Sequence, residues 1–454
     1  MNGINRREFF DNTRRISASS FVGASLFAGA QHAVAKEAGE RITLAFLGVG
    51  GRACSLLQGF VERGDVDVAY LCDPDSGRNR HLSEVVESAT GKRPRRVSDF
   101  RRVLDDRSVD AVVVATPDHW HSPLTVFACM AGKDVYVEKP LSHNIWEGRQ
   151  AVKAARKYGR IVQVGTQNRS ATYNRNAVDY VQSGKLGKIP LCKVYNLKPG
   201  HPQMRPPDSP VPPGVDYNLW LGPAPRRPFN RSRFHNSWHY CWDYSGGDMA
   251  NDGVHQLDLA RWVIGKTFPT AVACTGGNFA FETDDNETPD TQIATFDFDD
   301  MRLVYEQIGY GGYIRKTDSE ARRGDIFPYW LQNSTRIELY GTEGLMVLGR
   351  HGGGWQVFTK THNREPQVVA AEYGRFANPE HKQDFIECIR TRRTPNADVE
   401  EGHQSACLVH LANISYRLDG RRLEFDAESE LFPRDDEANG FLRRDQREEF
   451  AIPG

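Results

Sequence analysis

From residue 41 onward, short apolar runs alternate with stretches whose apolar residues recur every three or four positions. Residues 41–47 (RITLAFL), 66–71 (VDVAYL), 110–115 (DAVVVA), 134–137 (DVYV) and 160–164 (RIVQV) are near-continuously apolar and rich in β-branched side chains. Such runs predict strands covered on both faces, as in a parallel sheet. Helical spacing fills the intervals and predicts helices over 55–63, 80–88, 100–104, 122–131 and 146–158. Polar clusters follow the strands: GVGGRA at 48–53, TPDHWH at 116–121, EKP at 138–140 and GTQNR at 165–169. Ligands of doubly wound sheets bind beyond the carboxyl ends of the strands, where these clusters fall.

The pattern changes after residue 165. Ten prolines between 197 and 229 exclude a regular helix or central strand and predict a long functional cover or interaction arm. An aromatic run follows at 234–244, of a kind that forms core or interface more often than a sugar-stacking face. Gly246-Gly247-Asp248 opens a helix to Trp262, with Asp248 as its cap. Strict alternation then predicts strands at 271–278, 291–297 and 302–308, and a hairpin at 335–340 and 345–348, in a sheet with one solvated face. Residues 313–329 read as a solvated polar insertion, 381–392 and 402–418 as helices, and 421–454 as a charged arm. The expected fold is α/β: a Rossmann dinucleotide-binding domain over 36–165, then an α+β domain over 166–420 with a mostly antiparallel open sheet.

The first polar cluster carries the clearest chemistry. Gly48 permits a tight turn, Gly50 lets backbone approach a diphosphate, and Ala53 lets the following helix pack on the strand. The second strand ends at Asp73, where a carboxylate can hydrogen-bond a ribose 2′-hydroxyl and repel the additional phosphate of NADP. NAD is therefore the expected cofactor, with Arg78 and Arg80 keeping NADP as the lesser option. In the helix after residue 248, Asn251, His255, Asp258 and Trp262 share one face, and spacing alone favours a structural role for His255.

Charge removes several classes of function. Lys plus Arg number 58 against 59 Asp plus Glu, so neither a nucleic-acid footprint nor a polybasic membrane surface is present. Eight cysteines are scattered singly with no C-x-x-C pair, which argues against a disulfide framework or a metal site. The N-terminus reads as an address. Arg6-Arg7, an uncharged stretch over 16–30 too short to span a bilayer, and Ala33-Val34-Ala35 make up an n-region, h-region and cleavage site. The paired arginines resemble a twin-arginine (Tat) signal, predicting a signal peptide over 1–35, use of the Tat export machinery and a periplasmic or otherwise exported protein.

Taken in order, GVGGRA, ATPDHWH, VEKP, VGTQNR and GGDMANDGVHQLD resemble the Gfo/Idh/MocA family, over roughly residues 41–420. The resemblance implies an oxidoreductase that moves a hydride between NAD and a hydroxyl-bearing carbon of a sugar, polyol or glycoside, in a homo-oligomer, and export away from any soluble NAD pool adds the expectation that the cofactor is tightly held. It places Lys139 and His255 in catalysis. Gly48, Gly50, Gly51, Arg52, Asp73, Thr116, Pro117, His121, Glu138, Lys139 and Gln167 would hold the cofactor. Asn168, Arg169, Asn251, Asp252 and Asp258 would hold the substrate. The family commonly carries Asp four residues before the histidine; here Asn251 stands there, with Asp252 one step on. Two other readings stay open, an NAD-dependent glycoside hydrolase working by transient oxidation and elimination, and a non-catalytic sugar-binding protein.

Overall fold

The structure is a computed structural model that describes residues 40–453 except 201, 283, 284, 325, 362 and 363. The segment read as a signal peptide lies outside the described residues. The apolar runs form strands β1 (Ile42–Leu47), β2 (Val66–Cys72), β4 (Ala111–Val114), β5 (Asp134–Val137) and β6 (Val162–Val164). With β3 (Arg95–Val97), a strand that the hydrophobic pattern does not predict because two of its three residues are exposed arginines, they make a six-stranded sheet. Its order is β3-β2-β1-β4-β5-β6 and every pairing is parallel. β1, β4 and β5 are nearly fully buried because helices cover both faces.

Nine strands form the second sheet. β7 (Leu191–Leu197), β8 (Ala271–Gly277), β9 (Thr291–Phe298), β10 (Met301–Ile308), β11 (Arg336–Tyr340), β12 (Gly344–Gly349), β13 (Trp355–Thr359), β14 (Val368–Glu372) and β15 (Leu423–Glu424) lie in the order β14-β13-β12-β11-β7-β10-β9-β8-β15. Only β7 and β10 run parallel; all other neighbours are antiparallel. Burial alternates along β9 and β10, as expected where one face is covered. That face packs Cys192, Val194, Phe296, Leu303 and Ile337 against Val254 and Leu257 of helix Val254–Val263 and Cys407 and Leu411 of helix Val399–Arg417.

The two layers are laced together by chain that the sequence assigns to the second domain and to the C-terminal arm. Helix Asn378–Thr391 sets Phe385 edge-on to Phe60 and Tyr136, completing the Rossmann core. The expected arm over 421–454 is not free over its described residues: Leu423 extends the second sheet, while Phe450 and Ile452 are buried in the first domain. Phe450 stands edge-on to Trp120 at 5.4 Å. The proline-rich segment contributes a short helix, Tyr217–Leu221, and a cluster of Tyr217, Trp220, Phe229, Phe234 and Tyr244. Gly222, at φ +51°, lets this segment lie on Trp120, whose ring occupies the place a Cβ would take, 2.1 Å away. The Trp120 indole N–H donates to the carbonyls of Leu219 and Trp220, both at 3.1 Å, so the cover is tied to the first domain.

Burial of the tail predicts that Phe450→Ala destabilises the protein by about 3 kcal/mol, the usual order for deleting a buried aromatic ring. Denaturant unfolding measures this, and an unchanged midpoint would show that the last residues are an arm.

Candidate active site

One cavity of about 670 Å³ collects the polar clusters at the strand ends and side chains of the second domain. Its volume suits a cofactor with a small substrate. At the end of β1, Gly48 has φ +81°, and a Cβ there would meet the carbonyl oxygen of Ala115 at 2.8 Å. Helix Gly51–Val61 begins at once, with Gly50 as N-cap and no side chain bonded to its first amides. A Cβ on Gly51 would meet nothing within 4 Å, while one on Gly50 would meet the Arg78 guanidinium at 2.7 Å. Unfilled amides on one side and Arg78 on the other fit the diphosphate of a dinucleotide. Asp73 also lines the cavity, accepting from the backbone N–H of Val49 and of Asp75, both at 2.9 Å. Burial nevertheless raises its carboxyl above the usual range.

Thr116, Pro117 and His121 line the cavity after β4. The Thr116 hydroxyl is buried without a hydrogen-bond partner among the described residues, as a ligand-facing group would be. His121 bridges the carbonyls of Thr116 (2.9 Å) and Pro140 (2.6 Å), stapling the β4 loop to the β5 loop. Glu138 accepts from Arg52 Nε at 2.7 Å. Burial pushes that carboxyl up, but Arg52 and Lys139 outweigh it and leave it below its ordinary value. Gln167 lines the cavity and donates to the Tyr136 hydroxyl at 3.2 Å.

Lys139 is buried beside these groups, and its Nζ donates to the Asn251 carbonyl at 2.5 Å. Burial lowers its pKa, against the opposing fields of Asp118, Glu138 and Asp252. Asn251 and Asp252 sit in a π-turn, Met249–Gly253, that precedes helix Val254–Val263. The wider turn shifts the helical phase, a device often found at functional sites, and both residues line the cavity with His255. Burial holds the His255 ring well below its ordinary pKa, helped by Arg350 and Lys139 and opposed by Asp252. Asp252 thus exerts on the imidazole the carboxylate field that Asn251 cannot supply. Asp252 pairs with Lys316 (2.9 Å), Lys198 (3.1 Å) and Arg350 (3.4 Å). Despite burial, these cations, Arg350 foremost, hold it well below the usual carboxylate range.

Three expected substrate residues lie elsewhere. Arg169 and Asp258 form a buried ion pair at 2.8 Å, and Asp258 also accepts from Ser405 Oγ at 2.6 Å. Glu401 meets Arg169 at 3.0 Å, so these groups join the turn Gln167–Ser170 to helices Val254–Val263 and Val399–Arg417. Asn168 is buried in the same turn, Gln167–Ser170, its carbonyl accepting from Asn174. That turn aims Gln167 into the cavity and the next two side chains into the packing.

Other lining residues were not legible as such. Lys316 and Arg322 come from the segment read as a solvated loop, and Arg350 and His351 follow β12. Lys198 directly follows β7, and Trp238 and His239 belong to the aromatic run. All eight cysteines are free thiols. His403, Cys407 and Glu430 cluster within 4.8 Å, but Arg149 already donates to Glu430, at 2.6 Å, placing a cation on that carboxylate. Among the described residues no helix is long and apolar enough to cross a membrane.

Comparison with known proteins agrees with this geometry. Residues 42–166 match the NAD-binding Rossmann fold of the Gfo/Idh/MocA oxidoreductase family, and residues 197–286 and 346–452 match its C-terminal alpha/beta domain. The scyllo-inositol 2-dehydrogenase (NAD(+)) of Bacillus subtilis (strain 168) is 25% identical over 310 residues, 65% of this chain and 72% of that protein. An uncharacterized oxidoreductase of the same organism, YrbE, is 25% identical over 54% of this chain, and the match spans 57% of its own length. Among solved structures, the aldose-aldose oxidoreductase from Caulobacter crescentus superposes with a TM-score of 0.61 at 19% identity, over 85% of this chain and 100% of that one. Two matched domains in the family's order, around a cavity built from both, show that the chain belongs to the Gfo/Idh/MocA family of NAD-binding oxidoreductases.

Proposed function

We propose that this protein is an NAD-dependent oxidoreductase acting on a hydroxyl-bearing carbon of a sugar, polyol or glycoside. The observation that carries this reading is the convergence of Lys139 from β5 and Asn251, Asp252 and His255 from the second domain on the cavity that holds the glycine turn. Bound NAD supplies the hydride acceptor. Lys139, fixed by the Asn251 carbonyl, orients the hydroxyl oxygen and stabilises the negative charge that develops on it. His255, neutral because burial depresses its pKa, takes the hydroxyl proton, and Asp252 stabilises the imidazolium formed. Trp120, Trp220 and Trp238 give the cavity part of its apolar wall.

The relatives are consistent in kind. A levoglucosan dehydrogenase of Pseudarthrobacter phenanthrenivorans is 24% identical over 55% of this chain. A glycosyl hydrolase family 109 protein of Stenotrophomonas maltophilia is 32% identical over 144 residues, 30% of each chain. The second match keeps a redox-neutral hydrolase as the competing reading. Export by the N-terminal segment would carry the cofactor out with the folded protein, and the half-solvated second sheet offers a face for self-association.

Lys139→Met and His255→Asn are expected to lower kcat by about 100-fold or more each, with NAD still bound, the usual scale for positioned acid–base groups. Because the neutral imidazole is the active form and its pKa lies well below 6.5, oxidation should hold constant through neutrality and fall only at more acid pH. Stopped-flow pH profiles check this, and a fall centred at or above 6.5 would remove His255 from the role. Fluorescence titration should show NAD binding at least about tenfold more tightly than NADP, since Asp73 opposes a 2′-phosphate; tighter NADP binding would reverse the assignment. Incubation with polyols, sugars and aryl glycosides, following NADH absorbance together with aglycone release, tests the reaction class. Net or transient NADH with an oxidised sugar supports the dehydrogenase, and aglycone release without oxidised product would replace it by the hydrolase.

A further inference from the structure

The cavity carries more positive charge than its visible partners balance. Seven Lys and Arg side chains line it (Arg52, Arg78, Lys139, Lys198, Lys316, Arg322, Arg350) against four carboxylates (Asp73, Asp118, Glu138, Asp252). A dinucleotide with an oxidised nicotinamide brings two phosphates and one ring cation, so it leaves an excess. That excess is concentrated in the second domain. Lys198 is satisfied between Asp248 (2.8 Å) and Asp252 (3.1 Å). Lys316 and Arg350 must share the same Asp252, and Arg322 bonds the Thr317 carbonyl at 2.8 Å and makes no close ion pair among the described residues, feeling Asp252 and Asp318 only at longer range.

Arg350 is the sharpest case. Its side chain is only 8% exposed, its closest carboxylate oxygen among the described residues is 3.4 Å away, and its Nε is buried without a partner among them. The Phe376 ring, 5.6 Å from its Cζ, backs the guanidinium plane. A buried guanidinium with unmet N–H groups is costly by itself, and the group that best meets such a fork is a pair of anionic oxygens. Neutral hydroxyls would leave the charge unmatched. The diphosphate has its own seat at the amides of helix Gly51–Val61 in the other domain, so these cations are not consumed by the cofactor.

We propose that the substrate is an acidic sugar whose anionic group, a carboxylate or phosphate ester, is clamped by Arg350 with Lys316 and Arg322; this rests on reading the cavity as a sugar oxidoreductase site. Lys316 is 37% exposed at the rim, where it would meet the anion first, and Arg350 lies deeper. Electrostatic complementarity of this kind sets specificity more than overall affinity.

The test is calorimetric titration of the full NAD-loaded protein with D-glucuronate, D-galacturonate, D-gluconate and D-glucose 6-phosphate, each beside its neutral counterpart (D-glucose, D-galactose, D-glucitol). At least one acid should bind about tenfold or more tightly than its counterpart, with a preference that shrinks as salt rises. The uronate and phosphate arms tell which anion the clamp takes. Arg350→Gln and Lys316→Met should each cut acid affinity by about tenfold while NAD affinity changes less than about twofold. Lys316, at the rim, keeps the test decisive should the Arg350 variant not fold. Neutral sugars binding as tightly as every acid, no acid binding at all, or NAD affinity falling with acid affinity would each overturn the proposal. Parallel assay of NADH separates the two readings. Acid binding without turnover upholds the clamp and counts against the oxidoreductase, whereas turnover of neutral sugars without acid binding does the reverse.

Discussion

The hydrogen bond from Lys139 Nζ to the Asn251 carbonyl ties the end of β5 to the π-turn of the second domain. An ammonium at this depth is tolerated only when carboxylates surround it, and they come from both sides: Asp118 and Glu138 from Rossmann loops, Asp252 from the π-turn. Much else follows from keeping this group in place. Arg52 holds Glu138, and Gly165 must lack a side chain because a Cβ would meet the Glu138 carboxylate at 2.8 Å. His121 then holds the two loops together beneath the site.

Asp252 is the second fixed point, and it depends on a helix that opens with one wider turn. The π-turn presents both Asn251 and Asp252 to the cavity beside His255. The carbonyl of one anchors Lys139 while the carboxylate of the other gathers three cations and acts on His255. The displaced acid therefore keeps a carboxylate at the site while changing the company it keeps.

The Rossmann half is legible because its signals are strong and local. Continuous apolar runs mark β1, β2, β4 and β5, and Gly48 stands where the backbone adopts a positive φ with a carbonyl against it. What escapes the sequence is set by distance along the chain. Lys316 and Arg322 look like any charges in a polar loop, and only folding against the glycine turn after β12, where a Cβ on Gly352 would meet Arg322, brings them to the cavity. Asn168, Arg169 and Asp258 mislead for the opposite reason. They stand in a strand-end cluster and on a helix face where ligand groups belong, yet Arg169 and Asp258 neutralise each other in the packing. β7 hides because Lys193 and Asn196 interrupt its apolar run, and β14 because Val368 and Val369 are exposed at the sheet edge.

The position of Phe450 and Ile452 inside the first domain bears on how the molecule is made. A domain usually folds as a unit once its own chain has left the ribosome. Here the nucleotide-binding domain begins its sheet at Ile42 and takes core side chains from as far along the chain as Phe450 and Ile452. Helix Asn378–Thr391 arrives almost as late. The complete core therefore forms only once Phe450 and Ile452 have been made, so a product ending before Phe450 would lack the wall behind Trp120 on which the cover rests.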